Sequence, residues 1–493
     1  MRDAGDGSGL VTDLYELTMA CGYWRHRMAD VEATFTMTFR ENPFAGGFTV
    51  ACGLGPAIEL LRGFRFDDDA CAYLSTLRGN DDRPLFPEPF LDVLGAFRFT
   101  CDVDAVAEGT IVFPHEPLVR VTGPILQAQL VESVLLNVVN FQSLVATKAA
   151  RVALAAKGDP VIEFGLRRAQ GLDGALAASR AAWVGGCAAT SNVLAGRTFG
   201  IPVAGTVAHS WVMAFDGEEE AFEAYASAMP NNVILLVDTY DTLEGVRRAV
   251  ETGKRLARRG HRLAGIRLDS GDLAWLSVEA RKILDAAGLA DTRIAASNDF
   301  DEHVVASLKE QGARIDVWGV GTRLVTGWDQ PALGGVYKLN AIRRPGRPWS
   351  PRIKLSEQVA KTSSPGLLRT TRFAADDGFV ADMVSDEQHP PGDGEVTIVD
   401  PLDPTRRKVL DRSLAREELL LPVLRGGEPQ APAPSLEESR RRVQGELERF
   451  HSGIKRFVHP HRYPVGLEES LYRLGTDLVL GLRGGSPRPA ATA

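Results

Sequence analysis

The sequence predicts an α/β protein whose central region consists of repeated βα units, wound either as an irregular barrel or as an open doubly wound sheet. Three observations carry this. Short apolar runs begin near Val161, Pro202, Val233, Leu263, Thr292 and Ile315. Most are separated by helix-length segments, among them residues 218–229, 242–259 and 273–287. Each run also ends in a polar or glycine-rich cluster. Strands alternating with helices imply parallel pairing, and six or seven such units approach the eight of a complete barrel without reaching it.

Taken in chain order, residues 1–123 read as a mixed α/β domain with a largely antiparallel sheet. Residues 31–39 partly alternate apolar and polar side chains, and 97–103, 110–113 and 118–121 are further short β-like runs separated by Gly and Pro. Pro124 suits the first position of a helix, and the apolar stretch 125–156 follows it. Glu132, Lys148 and Arg151 interrupt that stretch, so it is expected as a buried helix and not a membrane span. It opens the second region, residues 124–334, which contains the βα repeats. The third region, 335–483, begins with Arg343, Arg344, Arg347, Arg352, Lys354 and Lys361 among prolines. It reaches Ser435-Leu-Glu-Glu438, a capping-box pattern that starts a helix. Residues 484–493, rich in Gly, Pro and Ala, read as a disordered tail.

Composition narrows the function. Hydrophobic residues make up 44% and charged residues 24% of 493, the balance of a soluble globular protein long enough for two or three domains. The net charge of −8 argues against general binding to nucleic acid or an anionic membrane, which needs a positive field. An anionic small substrate stays compatible, because a local arginine cluster outweighs the global sign at short range. The five cysteines, Cys21, Cys52, Cys71, Cys101 and Cys187, form no CxxC pair, so reduced thiols in the cytoplasm are expected and no zinc site. The N-terminus shows no basic start followed by an apolar run, so no signal peptide is expected.

The chemistry collects at the ends of the apolar runs. The clusters are Glu163-Phe-Gly-Leu-Arg-Arg168, Gly205-Thr-Val-Ala-His-Ser210, Asp238-Thr-Tyr-Asp241, Arg267-Leu-Asp-Ser-Gly-Asp272, Ser297-Asn-Asp299 and Gly319-Val-Gly-Thr322. In parallel α/β folds ligands sit at the carboxyl ends of the strands, so six clusters in succession are expected to ring one mouth. Their residue types suit a polyanionic, sugar-bearing substrate. Arg167, Arg168 and Arg267 offer planar charged forks for phosphate or carboxylate. Asp269 and Asp272 suit ribose hydroxyls, or magnesium carried in with a diphosphate. Gly319-Val-Gly-Thr322 suits a phosphate monoester.

Each element also has a structural reading. Paired arginines are usually a solvated face, and glycines between strand and helix are often only turn chemistry. Asp269 or Asp272 at a helix start can be an N-cap, and a lone His209 is more often a satisfied structural histidine. Their shared placement at strand ends is what favours function.

With these motifs, the sequence resembles the nicotinate phosphoribosyltransferase family along nearly its whole length. The resemblance runs through Thr12-Asp-Leu-Tyr-Glu-Leu-Thr18, Phe39-Arg-Glu-Asn-Pro-Phe44 and Glu163-Phe-Gly-Leu-Arg-Arg-Ala-Gln-Gly171. It continues through Gly205-Thr-Val-Ala-His-Ser210, Gly265-Ile-Arg-Leu-Asp-Ser-Gly-Asp-Leu273, Gly319-Val-Gly-Thr322 and Gly335-Val-Tyr-Lys-Leu339. It implies an irregular TIM-like α/β barrel, an N-terminal mixed α/β sandwich domain, and a C-terminal extension that partly completes that domain. It also implies transfer of the phosphoribosyl group of 5-phosphoribosyl 1-diphosphate to nicotinate, coupled to ATP hydrolysis through a phosphohistidine, with Mg2+ and a homodimer of shared active sites. By the same matching, His209 is the phosphorylated residue, and Tyr15 covers the pyridine ring from the partner subunit. Phe164 stacks on the other face, Thr206 and Arg267 contact nicotinate, and Asp269 holds the ribose. Gly321 and Thr322 meet the 5-phosphate, while Arg167, Ser297 and Asn298 complete the substrate site. Arg323 stands after Thr322 where some relatives carry a small residue, and its added positive charge is compatible with a phosphate.

Two other functions compete. A nicotinamide enzyme favours a carboxylate facing the amide, whereas Gly186-Cys-Ala-Ala-Thr-Ser-Asn192 has none; Thr190, Ser191 and Asn192 there can donate to the carboxylate of nicotinate. A catalytically silent ligand-binding protein on the same fold is disfavoured because His209, Arg267 and Asp269 are all present.

Overall fold

A computed structural model of the chain describes residues 8–357, 363–392, 394–432 and 434–484. The tail expected to be disordered falls, but for residue 484, outside the described residues, as does Lys361. The chain forms two compact units, one of residues 1–144 with 332–493 and one of residues 145–331.

In the first unit, seven strands form an antiparallel sheet in the order Ser350–Pro351, Gly335–Arg343, Glu32–Phe39, Val119–Pro124, Asp102–Val106, Leu420–Arg425, Glu428–Pro429. Chain segments three hundred residues apart in sequence are thus neighbours: Glu32 lies opposite Arg343 and is ion-paired with it. The phenyl rings of Phe64, Phe66 and Phe97 pack edge to face under this sheet, with centroids 5.8–6.0 Å apart. Tyr337 stacks on Phe35 and donates its hydroxyl to the carbonyl of Ala128 at 2.8 Å, so its polar end is satisfied within the core. A second, six-stranded sheet is formed by residues from 368 onward. The capping box forms there: Ser435 and Glu438 satisfy each other's backbone amides at the start of Leu436–Arg449.

Two expectations for the middle of the chain change in detail. The apolar stretch 125–156 is two helices, Ile125–Leu130 and Glu132–Ala156, separated at Val131. Pro124 ends the strand Val119–Pro124 and precedes the first helix instead of entering it. Its fixed φ of −54° suits either place.

The second unit carries six parallel strands: β1 (Val161–Glu163), β2 (Ala189–Thr190), β3 (Ile234–Leu236), β4 (Gly265–Leu268), β5 (Arg293–Asn298) and β6 (Val317–Val320). The run expected near Pro202 forms a single bridge, Val203 to Thr190, beside β2. The order across the sheet is β2-β1-β6-β5-β4-β3. The last strand therefore pairs with the first, through Trp318 with Val161 and Val320 with Glu163. In an open doubly wound sheet the first strand is central and the last lies at an edge, so the two do not pair. A barrel results, with its seam between Val203 and β3 among the described residues. Two buried residues on β4, Ile266 and Leu268, face the helix layer, and Arg267 between them faces the interior.

Candidate active site

Arg267 is the hub of the carboxyl-end mouth. Its Nε donates to Ser297 Oγ at 2.7 Å, Nη1 to Thr206 Oγ1 at 2.7 Å and to the Val207 carbonyl at 3.2 Å, and Nη2 to Asp269 Oδ1 at 2.7 Å. A guanidinium has five N–H groups. Four are spent on three different strand-end loops, so one Nη2 hydrogen remains for a ligand.

Asp269 is fixed from both sides. Its Oδ1 accepts from Arg267 and from the Ser297 hydroxyl, its backbone N–H donates to Asp238 Oδ2 at 2.8 Å, and its carbonyl accepts from Asn298 Nδ2 at 3.1 Å. Burial pushes this carboxyl up, but the hydrogen bonds and charge of Arg267, the Ser297 hydroxyl and nearby His209 outweigh it and hold the group below the usual carboxylate range. A depressed value means that the ionised form, and the stability it brings, persists above the ordinary carboxylate range and is lost only as pH falls through the lowered value. The second oxygen, Oδ2, lies 3.7 Å from His209 Nε2. His209 begins the short helix His209–Met213, and its Nδ1 lies 3.2 Å from Thr239 Oγ1. One ring nitrogen is thus engaged by Thr239, and the other faces the mouth beside Asp269.

The opposite wall is made by Phe164 and the loop after β6. The Phe164 amide donates to the Val320 carbonyl at 2.8 Å, which anchors the ring over Gly319. A Cβ at Gly319 would stand 2.7 Å from Cδ2 and Cε2 of that ring and 3.2 Å from Cβ of Ser297. This glycine is required for close packing of the phenyl ring. Gly165 is similar, since a Cβ there would meet Val325 Cγ1 at 2.2 Å. Gly321 precedes the helix Thr322–Val325, and Thr322 is its first residue. Contacts between Arg267, Thr206, Ser297, Asp269, Asp238, His209, Thr239, Phe164 and Gly319 therefore join all six clusters.

Other expected residues stand differently. Arg167 and Arg168 lie exposed on the turn Leu166–Arg168, with no side-chain hydrogen bond or ion pair among the described residues. Asp272 is an exposed N-cap, accepting from the Trp275 amide at 3.1 Å. Two of the three donors expected from the stretch after Gly186 are engaged inside the protein: Thr190 gives its hydroxyl to buried Glu163 at 2.6 Å, and Asn192 donates to Ser179 at 3.2 Å while capping Val193–Phe199. The extra charge of Arg323 is likewise taken up, in an ion pair with Asp301. Tyr15 is in the first unit on the helix Leu14–Arg25, 45% exposed, and its hydroxyl is held protonated by burial first and then by the charges of Glu132 and Glu16.

Besides Thr239, two site residues carried no assigned role in the sequence. Asp238 ends the segment after β3 and supports both Asp269 and Ser270, at 2.8 and 2.9 Å. Glu163 takes Thr190 and Ser179 hydroxyls and the Gly165 amide, locking the turn that carries Phe164. The signal for Asp238 was its position at a strand end; Glu163 had none beyond its cluster.

No described helix is long and apolar enough to cross a membrane. Three family models match: the nicotinate phosphoribosyltransferase N-terminal domain over residues 10–140, the nicotinate phosphoribosyltransferase family over 160–343, and its C-terminal domain over 369–475. A nicotinate phosphoribosyltransferase of Bacillus subtilis is 40% identical over 477 residues, covering 95% of this chain and 94% of its own. The crystal structure of the human nicotinic acid phosphoribosyltransferase superposes with a TM-score of 0.83 at 34% identity, covering 95% of this chain and 99% of that one. At 22% identity, a nicotinate-nucleotide pyrophosphorylase from Pyrococcus furiosus shares the fold, with a TM-score of 0.67 over 90% of this chain and 95% of that one.

Proposed function

We infer, for a chain that belongs to the nicotinate phosphoribosyltransferase family, that it joins nicotinate to the phosphoribosyl group of 5-phosphoribosyl 1-diphosphate in NAD biosynthesis. The observation that carries the reading is the guanidinium of Arg267, which ties Thr206, Ser297 and Asp269 into one polar floor opposite the ring of Phe164. A flat aromatic acid fits between such a floor and such a ring. Its carboxylate takes the remaining Nη2 hydrogen of Arg267, with Thr206 alongside, and its ring stacks on Phe164.

The pyridine nitrogen is itself the nucleophile. Its attack on the anomeric carbon forms the C–N bond as the C–O bond to diphosphate breaks, and no proton is transferred. The chain's task is to position the groups and stabilise charge. Asp269, kept ionised, faces the ribose and the positive charge that develops on it. Ser297 and Asn298 hold Asp269 and line the sugar, Gly321 and Thr322 receive the 5-phosphate, and exposed Arg167 suits the diphosphate. Magnesium is expected to enter with the diphosphate, whose oxygens are its hard ligands. Asp269 fits that ion, and so does adjacent Asp238, whose Oδ1 is buried and has no hydrogen-bond partner among the described residues. Asp272, a helix cap, fits less well.

The test of substrate is direct. Nicotinate should be preferred over nicotinamide by at least about a hundredfold in kcat/KM, because the amide cannot offer the remaining Nη2 hydrogen of this largely buried guanidinium a charged acceptor. Product masses from parallel incubations with each base read this out. Comparable turnover of the two would overturn the assignment.

Coupling to ATP through phosphorylation of His209 is part of the proposal, as are a cytoplasmic location and a homodimer with shared sites. The dimer draws support from Leu10, Val11, Leu14, Tyr15 and Met19, which together expose apolar surface around the first helix. If Tyr15 completes the partner's site, a mixture of Tyr15→Ala and Arg267→Ala chains, each inactive alone, regains up to about a quarter of wild-type activity once subunits exchange, since one site in a hybrid dimer is intact. Exchange shown by mass without recovered activity would exclude shared sites.

A further inference from the structure

Arg323 leaves the turn after β6 beside Thr322, yet its charge is spent within the barrel. Its Nη1 donates to Asp301 Oδ2, and the guanidinium lies 5.5 Å from the ring centroid of Trp328. Asp301 is buried, 3% exposed, and its other oxygen caps the helix Glu302–Glu310, accepting from the amides of His303 and Val304 at 3.0 and 2.9 Å. The next residue, Glu302, is fully buried between Lys148 at 2.8 Å and Arg151 at 2.7 Å. Burial pushes the Asp301 carboxyl up, but the Val304 amide, Arg323 and Lys148 hold it below the usual range. An anionic ligand that drew Arg323 away would leave Asp301 charged and buried with one partner fewer, which is strongly unfavourable. A phosphate contact that breaks the Arg323–Asp301 pair is therefore disfavoured.

We propose that Arg323 is a positioning residue: by gripping Asp301 it fixes the Gly321–Thr322 turn against the loop after β5, and so sets affinity for the 5-phosphate of the sugar substrate. The inference rests on the proposed function. Its physical basis is the turn itself. β6 is held on both sides up to Val320, but Gly321 leaves the strand with no side chain to pack, and the helix that follows it is only four residues long. A short glycine-flanked turn keeps its donors aimed only if something outside it holds it. Asp301 is such a hold, because the cap and the Glu302 ion pairs anchor it in turn.

The test compares wild type, Arg323→Ala, Arg323→Lys, Asp301→Asn and the Arg323→Ala/Asp301→Asn double variant. Asparagine keeps an oxygen to cap both amides but loses the charge that Arg323 grips. Arg323→Ala and Asp301→Asn should each raise KM for 5-phosphoribosyl 1-diphosphate by about tenfold, with kcat and KM for nicotinate within about twofold. Arg323→Lys should fall between, lacking the fork. The double variant should be no worse than the larger single, because both remove one contact. Ribose 5-phosphate binding, read by calorimetry, should weaken in parallel without any turnover. Additive effects would mean that Arg323 meets the phosphate itself and would overturn the proposal, as would an unchanged KM in Asp301→Asn. If Arg323→Ala does not fold, Asp301→Asn and Arg323→Lys decide alone. A wild-type protein without nicotinate turnover would sink the proposed function, whereas normal turnover with unaffected variants sinks only the positioning role.

Discussion

Arg267→Ala is expected to lower kcat/KM for nicotinate by about a hundredfold to a thousandfold, the largest loss of any single change that leaves the chain folded. The side chain is 13% exposed and makes four hydrogen bonds, one of them to the carboxylate of Asp269. Removing one partner of a largely buried charge pair costs about 3–5 kcal/mol, and a tenfold change in rate corresponds to about 1.4 kcal/mol. Part of that cost falls on stability, so thermal unfolding is measured beside steady-state kinetics. Arg267→Lys should recover little, because one ammonium cannot reach Ser297, Thr206 and Asp269 in the directions of a planar fork. A loss below about fivefold in Arg267→Ala would show that Arg267 is a framework residue and that the carboxylate is bound elsewhere.

His209→Ala separates coupling from transfer. The imidazole is oriented by Thr239 at one nitrogen and offers the other to the mouth, 3.7 Å from Asp269. A neutral imidazole can attack the γ-phosphorus of ATP, forming the N–P bond as the P–O bond to ADP breaks; water later cleaves the phosphohistidine to phosphate. Transfer itself needs no such nucleophile, since nicotinate brings its own. The variant is therefore expected to lose acid-labile phosphorylation, and its ATP hydrolysis should fall by about a thousandfold or more, as when the nucleophile of a covalent intermediate is removed. Slow formation of nicotinate mononucleotide should persist, the same with or without ATP. Phosphate release and product formation are followed on both proteins. Nicotinate-stimulated ATP hydrolysis in His209→Ala would make His209 a structural residue.

The sequence by itself determined the βα repeats and the strand-end clusters in which Arg267, Asp269, His209, Thr206, Ser297 and Phe164 lie, because these features are local. Apolar runs, helix-length spacers and turn residues lie within a few positions of one another, and a βα unit places the end of its strand at the mouth whatever the rest of the chain does. Capping is equally local, and Ser435 with Glu438 behaves as its pattern says.

What only the tertiary structure decided was how donors and acceptors are shared among distant segments. Pairing of β6 with β1 turned two possible windings into a barrel, and that contact joins residues more than 150 apart in sequence. Thr190 and Asn192 looked available to a substrate, but burial beside Glu163 and Ser179 left them nowhere else to donate. Arg323 stands beside the phosphate turn in the sequence, but its pairing with Asp301 is visible only in the fold, and Asp238 gained its role only by lying under the amide of Asp269. A residue's type fixes which bonds it can make, but strand register and neighbouring loops fix which of them it does make. Leaving a buried polar group unpaired is costly, so these non-local choices follow from which partners the fold brings within reach.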